Sequence, residues 1–162
     1  MNKVLQFYDY EKCFQHYAER IAHMRQAKVK GEVIVAKPVF LLALLGELDG
    51  QPFSQRYFTL ETTRIEYRYN SLMKKYTEGS QFPNPTSVNY PFWHLEKDGF
   101  WHVHLYPQKE YKGKSTPSVE WLKEHVLFAN FDEDLVILLH NEEYRNKMRD
   151  FITDLIDSQK KK

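Results

Sequence analysis

Apolar residues recur at helical spacing along much of the chain. Between Glu11 and Ala27 they fall three or four positions apart, which predicts an amphipathic helix. Val39 to Leu45 is apolar almost all round, and this favours a central, buried helix. Pro38 suits the first turn of that helix, because a backbone N–H there has no partner to lose. Further helices are predicted from about residue 62, from Ser118, over 132–140 and over 142–157.

Strand patterns are fewer and shorter. Residues 57–60 predict one short strand, and 92–105 reads as two strands around Asp98-Gly99, a dipeptide typical of tight hairpin turns. Residues 79–91 and 106–117 are polar and contain proline, which indicates loops. The whole pattern predicts an α+β, helix-dominated single domain over residues 1–162, with a small antiparallel sheet or hairpin at 92–105.

The register of this hairpin bears on metal binding. With Asp98-Gly99 as the turn, side-chain alternation puts His94 and His102 on opposite faces. Only His102 and His104 then share a face, whereas a zinc site needs three or four ligands. We therefore predict no metal site and no cofactor. Cys13 lies on the apolar side of the first helix, where we expect it to be packed and unreactive.

Composition narrows the class of protein. Hydrophobic residues make up 42% and charged residues 28% of the chain, which is typical of a globular domain. A single cysteine excludes an internal disulfide. The N-terminus lacks the apolar core of a signal peptide, and the longest apolar run is well short of the roughly 20 residues of a membrane span. We expect a cytoplasmic protein without a membrane segment.

Charge is unevenly placed, although the formal net charge is only +1. Residues 20–37 carry five basic side chains against one acidic side chain, and the loop at 106–117 adds three lysines. Such basic segments suit a phosphate backbone, and an ordinary solvated surface explains the same composition equally well. The candidate phosphate contacts are Lys28, Lys30, Lys37, Lys112 and Lys114.

Three stretches together resemble a known family. They are "KPVFLLALLGELDG" from Lys37, "YPFWHLEKDGFWHV" from Tyr90, and "EEYRNKMRDFITDLI" from Glu142. Over about residues 31–156 the chain resembles the sulfur-binding domain of phosphorothioation-dependent restriction endonucleases, which is also the N-terminal module of many HNH endonucleases. The most specific part is Tyr-Pro-Phe-Trp at 90–93 with Asp-Gly-Phe-Trp at 98–101.

The resemblance implies a DNA-binding module that recognises phosphorothioated duplex DNA. Tyr90 and Pro91 would edge a shallow apolar pocket for the sulfur that replaces one phosphate oxygen, with His94 beside them. Ala36 departs from the family, whose members often carry histidine before the Lys-Pro pair. The chain also ends after the domain, so the resemblance implies no catalytic residues here and a nuclease domain or subunit as a partner in a restriction system.

A sulfur pocket is physically consistent with these residues. Sulfur is larger, softer and less hydrated than oxygen, so an apolar concavity prefers it. One apolar atom discriminates by only about 1–3 kcal/mol, and contacts with the backbone charge must supply most of the affinity. Two alternatives remain open: a small metal-dependent nuclease that uses His102 and His104, and a protein-interaction domain whose acidic C-terminal helices dock a partner.

Overall fold

The computed structural model describes residues 9–50, 56–79 and 86–160. The first half contains α1 (Tyr10–Ala22), β1 (Lys28–Val29), β2 (Glu32–Val33), α2 (Ala36–Leu48) and α3 (Ile65–Tyr76). The second half contains α4 (Asn89–His94), a 3-10 helix (Leu95–Asp98), β3 (Trp101–Leu105), α5 (Val119–His125), β4 (Val126–Phe131), α6 (Glu133–His140) and α7 (Glu142–Lys160). Part of the predicted loop at 79–91, residues 80–85, lies outside the described residues.

The apolar helix α2 lies at the centre of the core, as its sequence predicts. It packs against α3, α4, α6 and α7. Phe40, in its second turn, is fully buried, and its ring contacts the rings of Tyr69, Phe92 and Trp101. The indole N–H of Trp101 donates to the carbonyl of Phe92 at 2.9 Å, so the one polar atom of this large side chain is satisfied inside the core.

Amphipathic helices cover this centre. α1 starts at an N-cap, where the carboxylate of Asp9 accepts from the backbone N–H of Lys12, and it ends at Ala22, earlier than predicted. Cys13 is fully buried, and its thiol donates to the carbonyl of Asp134. Burial, together with the nearby charge of Asp134, raises the pKa of this thiol to about 12. The expectation that Cys13 is packed is confirmed.

A small antiparallel sheet completes the domain. β3 pairs with β4, so that Trp101 lies opposite Phe131 and His102 opposite Asn130. The strand predicted at 57–60 is reduced to a single bridge between Phe58 and Ala129. The predicted class, an α+β, helix-dominated single domain with a small antiparallel sheet, is confirmed. Among the described helices, none is both long enough and apolar enough to cross a membrane.

The predicted hairpin at 92–105 is wrong. Residues 89–94 form α4 and 95–98 form the 3-10 helix, so His94 lies on a helix and does not face any strand partner. Asp98-Gly99 ends that helix: Gly99 is left-handed, with φ +92°, which is the usual way for glycine to terminate a helix. The same dipeptide favours both a hairpin turn and a helix end, and the buried pair Phe92 and Leu95, three residues apart, follows helical spacing.

A hairpin does occur elsewhere, between α1 and α2. β1 and β2 pair with Lys28 opposite Val33 and Val29 opposite Glu32. The two turn residues, Lys30 and Gly31, both have positive φ, +51° and +84°. Each strand has only two residues, which leaves too short an alternation for sequence patterning to detect.

Candidate nucleic-acid interface

The short helix α4 carries three of the predicted site residues. Pro91 lies in its first turn and is buried, and its carbonyl accepts from the N–H of Leu95. Tyr90 and His94 are four residues apart and therefore share a helix face. Their rings are tilted against each other with centroids 4.6 Å apart, and both are half-buried. Tyr90 and His94 therefore form an aromatic edge on the helix that also carries the buried Pro91.

Two hydrogen bonds join α4 to the basic loop. The Nε2 atom of His94 lies 2.8 Å from the hydroxyl of Thr116. The side-chain amide of Asn89 donates to the carbonyl of Pro117 at 2.7 Å. The aromatic edge and the lysine-containing loop are thus brought together, although more than ten residues separate them in sequence.

The loop itself is held in a closed shape. The hydroxyl of Tyr111 donates to the carbonyl of Ser115 at 2.6 Å, and its ring packs against Trp93 and Trp121, with centroids 5.6 and 4.9 Å away. A Cβ added at Gly113 would overlap the Tyr111 ring and hydroxyl, so any larger residue there would displace the Tyr111 side chain. Within this turn the two predicted phosphate contacts, Lys112 and Lys114, are exposed.

Asp98 connects α4 to the basic segment at 20–37. One carboxylate oxygen accepts from the ammonium of Lys37 at 2.7 Å and the other from the backbone N–H of Arg25 at 3.1 Å. The guanidinium of Arg20 donates to the carbonyl of Asp98, and it occupies the space that a Cβ at Gly99 would need. The Asp98 carboxylate therefore joins the end of the 3-10 helix to the first turn of α2 and to the loop after α1.

The predicted phosphate contacts fall into two groups. Lys28 and Lys30 are exposed on the β1–β2 hairpin, and Lys112 and Lys114 are exposed on the loop. Lys37 is buried, and its charge is already paired with Asp98. The structure thus separates Lys37 from the four exposed lysines.

The imidazole of His94 is half-buried and lies near the charges of two lysines. Burial lowers its pKa below the usual value, and the charges of Lys97 and Lys37 lower it further. A neutral ring is therefore favoured at neutral pH, which suits an apolar rather than an ionic contact beside Tyr90.

The two histidines of the nuclease alternative lie on β3 and bond to other partners. His102 Nε2 is 2.6 Å from Asp132, whose other oxygen accepts from the hydroxyl of Tyr17. His104 Nε2 is 2.9 Å from the side-chain oxygen of Asn130. In the part of the chain that the structure describes, no three His, Cys, Asp or Glu side chains are grouped so that they could hold a metal ion.

Several residues that shape the site were missed from sequence. Tyr111, Gly113 and Thr116 act through contacts that depend on how the loop closes on α4. The sequence predicts Asp98 only as part of a turn. Its partner Lys37 lies in another of the stretches that carry the family resemblance. That shared resemblance is the sequence signal that could have indicated a contact between them.

The architecture and the exposed lysines next to an aromatic edge define a helix-dominated domain of the nucleic-acid-binding class. A family model described as the ScoMcrA-like DNA sulfur-binding domain matches residues 15–156, and the chain belongs to this family. Among curated proteins, none matches the chain.

Solved structures agree in fold. One is the sulfur-binding domain of ScoMcrA complexed with phosphorothioated DNA, with TM-score 0.64 and 23% identity over 88% of this chain and 85% of that one. Another is the sulfur-binding domain of SprMcrA complexed with phosphorothioated DNA, with TM-score 0.59 and 14% identity over 90% of this chain and 93% of that one.

Proposed function

We propose that this domain binds duplex DNA and recognises a phosphorothioate in its backbone. The observation that carries the proposal is the pair of hydrogen bonds that joins α4 to the lysine loop. Through them the aromatic edge at Tyr90 and His94 adjoins the exposed cations Lys112 and Lys114. The two solved relatives, each complexed with phosphorothioated DNA, support the same ligand.

In this proposal, one kind of contact supplies affinity for DNA and a second kind supplies the preference for sulfur. The exposed lysines neutralise phosphates and supply affinity that does not depend on sulfur. Tyr90, Pro91 and the neutral ring of His94 form the apolar edge that favours sulfur over a hydrated oxygen. We expect this edge to contribute about 1–3 kcal/mol, or roughly 5- to 150-fold in affinity.

The proposal assigns binding, and no catalysis, to this domain. A nuclease domain or subunit would then act on the recognised DNA, in a cytoplasmic restriction system of the kind that the sequence resemblance implies. Cleavage of phosphorothioated DNA that requires both this domain and an added HNH nuclease would support that setting.

A competition assay tests the central claim. Labelled duplex is displaced by matched duplexes with and without one phosphorothioate, at one stated salt concentration. The two sulfur diastereomers are tested separately, because a pocket on one side of the backbone should accept only one of them. Equal competition by every duplex would contradict sulfur recognition, and the absence of any DNA binding would contradict the proposal as a whole.

Two sets of variants separate the two kinds of contact. Tyr90→Ala and Pro91→Ala should reduce the preference for phosphorothioate and leave the affinity for plain DNA nearly unchanged. Lys112→Gln and Lys114→Gln should weaken binding to both duplexes by the same factor. Lys74→Gln removes the same charge from an exposed position on α3, outside the proposed interface, and serves as the matched control. Circular dichroism checks that each variant is folded.

A further inference from the structure

The β1–β2 hairpin is a small projection with an unusual tip. Its turn residues Lys30 and Gly31 both have positive φ, as in the type I′ turns of tight hairpins. Asparagine or glycine normally occupies the first of these positions, since a side chain such as lysine is disfavoured in the left-handed region. A lysine held there is placed at the outermost point of the projection.

Hydrogen bonds anchor the base of the hairpin to the rest of the domain. Gln26 and Gln159 exchange two side-chain hydrogen bonds, at 3.0 and 2.7 Å, which tie the segment before β1 to α7. The amide of Gln26 also donates to the carbonyl of Ile34, just after β2, whose N–H in turn donates to the carbonyl of Ala27. The backbone of Arg25 bonds to Asp98 at the end of the 3-10 helix. The projection therefore has a fixed direction relative to α4.

The tip combines charge with one exposed apolar side chain. Lys28, Val29, Lys30 and Gly31 are all exposed, and Val29 retains 41% of its accessible surface. Val29 therefore leaves a large part of its apolar side chain open to solvent, between two lysines. Its surroundings match a DNA groove, where phosphates line the rims and base edges, including thymine methyl groups, lie between them.

We propose that this hairpin enters the major groove of the bound duplex as a second point of contact. The major groove is wide enough for a two-stranded β-ribbon. Lys28 and Lys30 contact phosphates on its rims, and Val29 faces the base edges. This inference rests on the proposed function, because it takes duplex DNA as the ligand.

Site-directed cross-linking tests the position of the tip. Val29→Cys introduces a thiol on the exposed tip, and the native Cys13 is fully buried, so the wild-type protein serves as the control for background reaction. Phosphorothioated duplexes carry a tether that ends in a mixed disulfide, either in the major groove, on a pyrimidine C5, or in the minor groove, on a guanine N2. The introduced thiolate attacks this disulfide and releases its small thiol, so no oxidant is needed. We expect a disulfide only with major-groove tethers within a few base pairs of the sulfur.

The outcomes separate this inference from the proposed function. Cross-linking only from the minor groove, or from neither groove, overturns the major-groove inference if the same protein still prefers phosphorothioated duplex. A protein that binds no duplex at all overturns both.

A charge-removing variant gives a second test. Lys30→Asn keeps a residue that tolerates the left-handed turn and removes the positive charge. It should weaken binding to both duplexes while the preference for sulfur is unchanged. The salt slope, which is the slope of the logarithm of the binding constant against the logarithm of the salt concentration, should fall in magnitude by about one unit. Lys74→Gln again provides the control. A Lys30→Asn protein with the affinity and salt slope of the wild type would overturn the inference.

Discussion

The ammonium of Lys37 lies 2.7 Å from the carboxylate of Asp98, and the two side chains are only 5% and 7% exposed. This ion pair joins the first turn of α2 to the residue that ends the 3-10 helix. Because Asp98 also holds the backbone of Arg25, one carboxylate sets the position of α4 relative to both α2 and the β1–β2 hairpin. Two stretches that resemble the family's sequence thus meet at one buried contact.

Breaking this pair should destabilise the domain strongly. Asp98→Ala leaves the Lys37 charge buried without its partner, which we expect to lower the free energy of unfolding by about 3–5 kcal/mol. The double variant Lys37→Met/Asp98→Ala should lose less than the sum of the two single variants, because no lone charge remains. Urea unfolding of the wild type and the three variants measures these differences.

A second ion pair with the same nitrogen–oxygen distance serves as an exposed control. Lys147 and Glu11 are also 2.7 Å apart, but each side chain is 45% exposed. Water screens this pair, so Lys147→Met should change stability far less than either single substitution at the buried pair. Similar losses at both places would show that burial is not what makes the Lys37–Asp98 pair important.

The closed turn of the basic loop should control DNA affinity without affecting the choice of sulfur. Gly113→Ala places a methyl group against Tyr111 and forces the turn open, so that Lys112 and Lys114 lose their fixed positions. We expect weaker binding to both duplexes, with the magnitude of the salt slope reduced by about one to two units. Fluorescence titrations over a range of salt concentrations measure both quantities.

Tyr111→Phe and Gly46→Ala complete this comparison. Tyr111→Phe removes only the hydrogen bond to Ser115 and should produce a smaller effect in the same direction. Gly46→Ala makes the same glycine replacement inside α2, where the nearest atoms belong to the flexible side chain of Arg68. Unchanged binding by Gly113→Ala, or equal weakening by Gly46→Ala, would contradict a positioning role for the turn.

The lowered pKa of His94 predicts a component of stability that depends on pH. The folded protein takes up this proton less readily than the unfolded chain, whose histidine titrates near 6.5. The free energy of unfolding should therefore fall as the pH is lowered through about 6.5 toward the folded-state pKa. His94→Gln removes this component and keeps an amide that can bond to Thr116.

Thermal unfolding between pH 7.5 and pH 5 measures the effect. The wild type should lose more stability on acidification than His94→Gln, and the difference between them isolates His94 from the other histidines. Parallel curves for the two proteins would show that His94 is protonated equally easily in both states.

The pure domain should not cleave DNA. His102 bonds to Asp132, just after β4, and His104 bonds to Asn130 on β4, and the described residues around them provide no set of three metal ligands. Plasmid incubated with the protein and Mg²⁺, Mn²⁺ or Zn²⁺ should remain supercoiled. Nicking that requires metal and disappears in His102→Ala or His104→Ala would revive the nuclease alternative.

Features that depend on neighbours in sequence were predictable. The apolar run around Phe40 fixed α2 as the central helix, since no face of it could lie in water. The hydroxyl of Ser118 caps α5 by accepting from the N–H of Trp121, a local bond that the residue type predicts. The packing of Cys13 followed from its position on the apolar face of α1. Helical periodicity and caps involve residues within four positions of each other, so the sequence alone determined them.

Features that depend on distant partners were decided only by the tertiary structure. Residues 90–98 formed helices and not a hairpin strand, because β3 found its partner in β4, some 25 residues later, and Phe92 and Leu95 turned into the core. Lys37 lost its expected exposure because Asp98 came within bonding distance. The sequence supplied the aromatic edge at Tyr90 and the lysines at 112 and 114, whereas packing brought them together. Such contacts balance burial against pairing across the whole chain, and no local pattern encodes that balance.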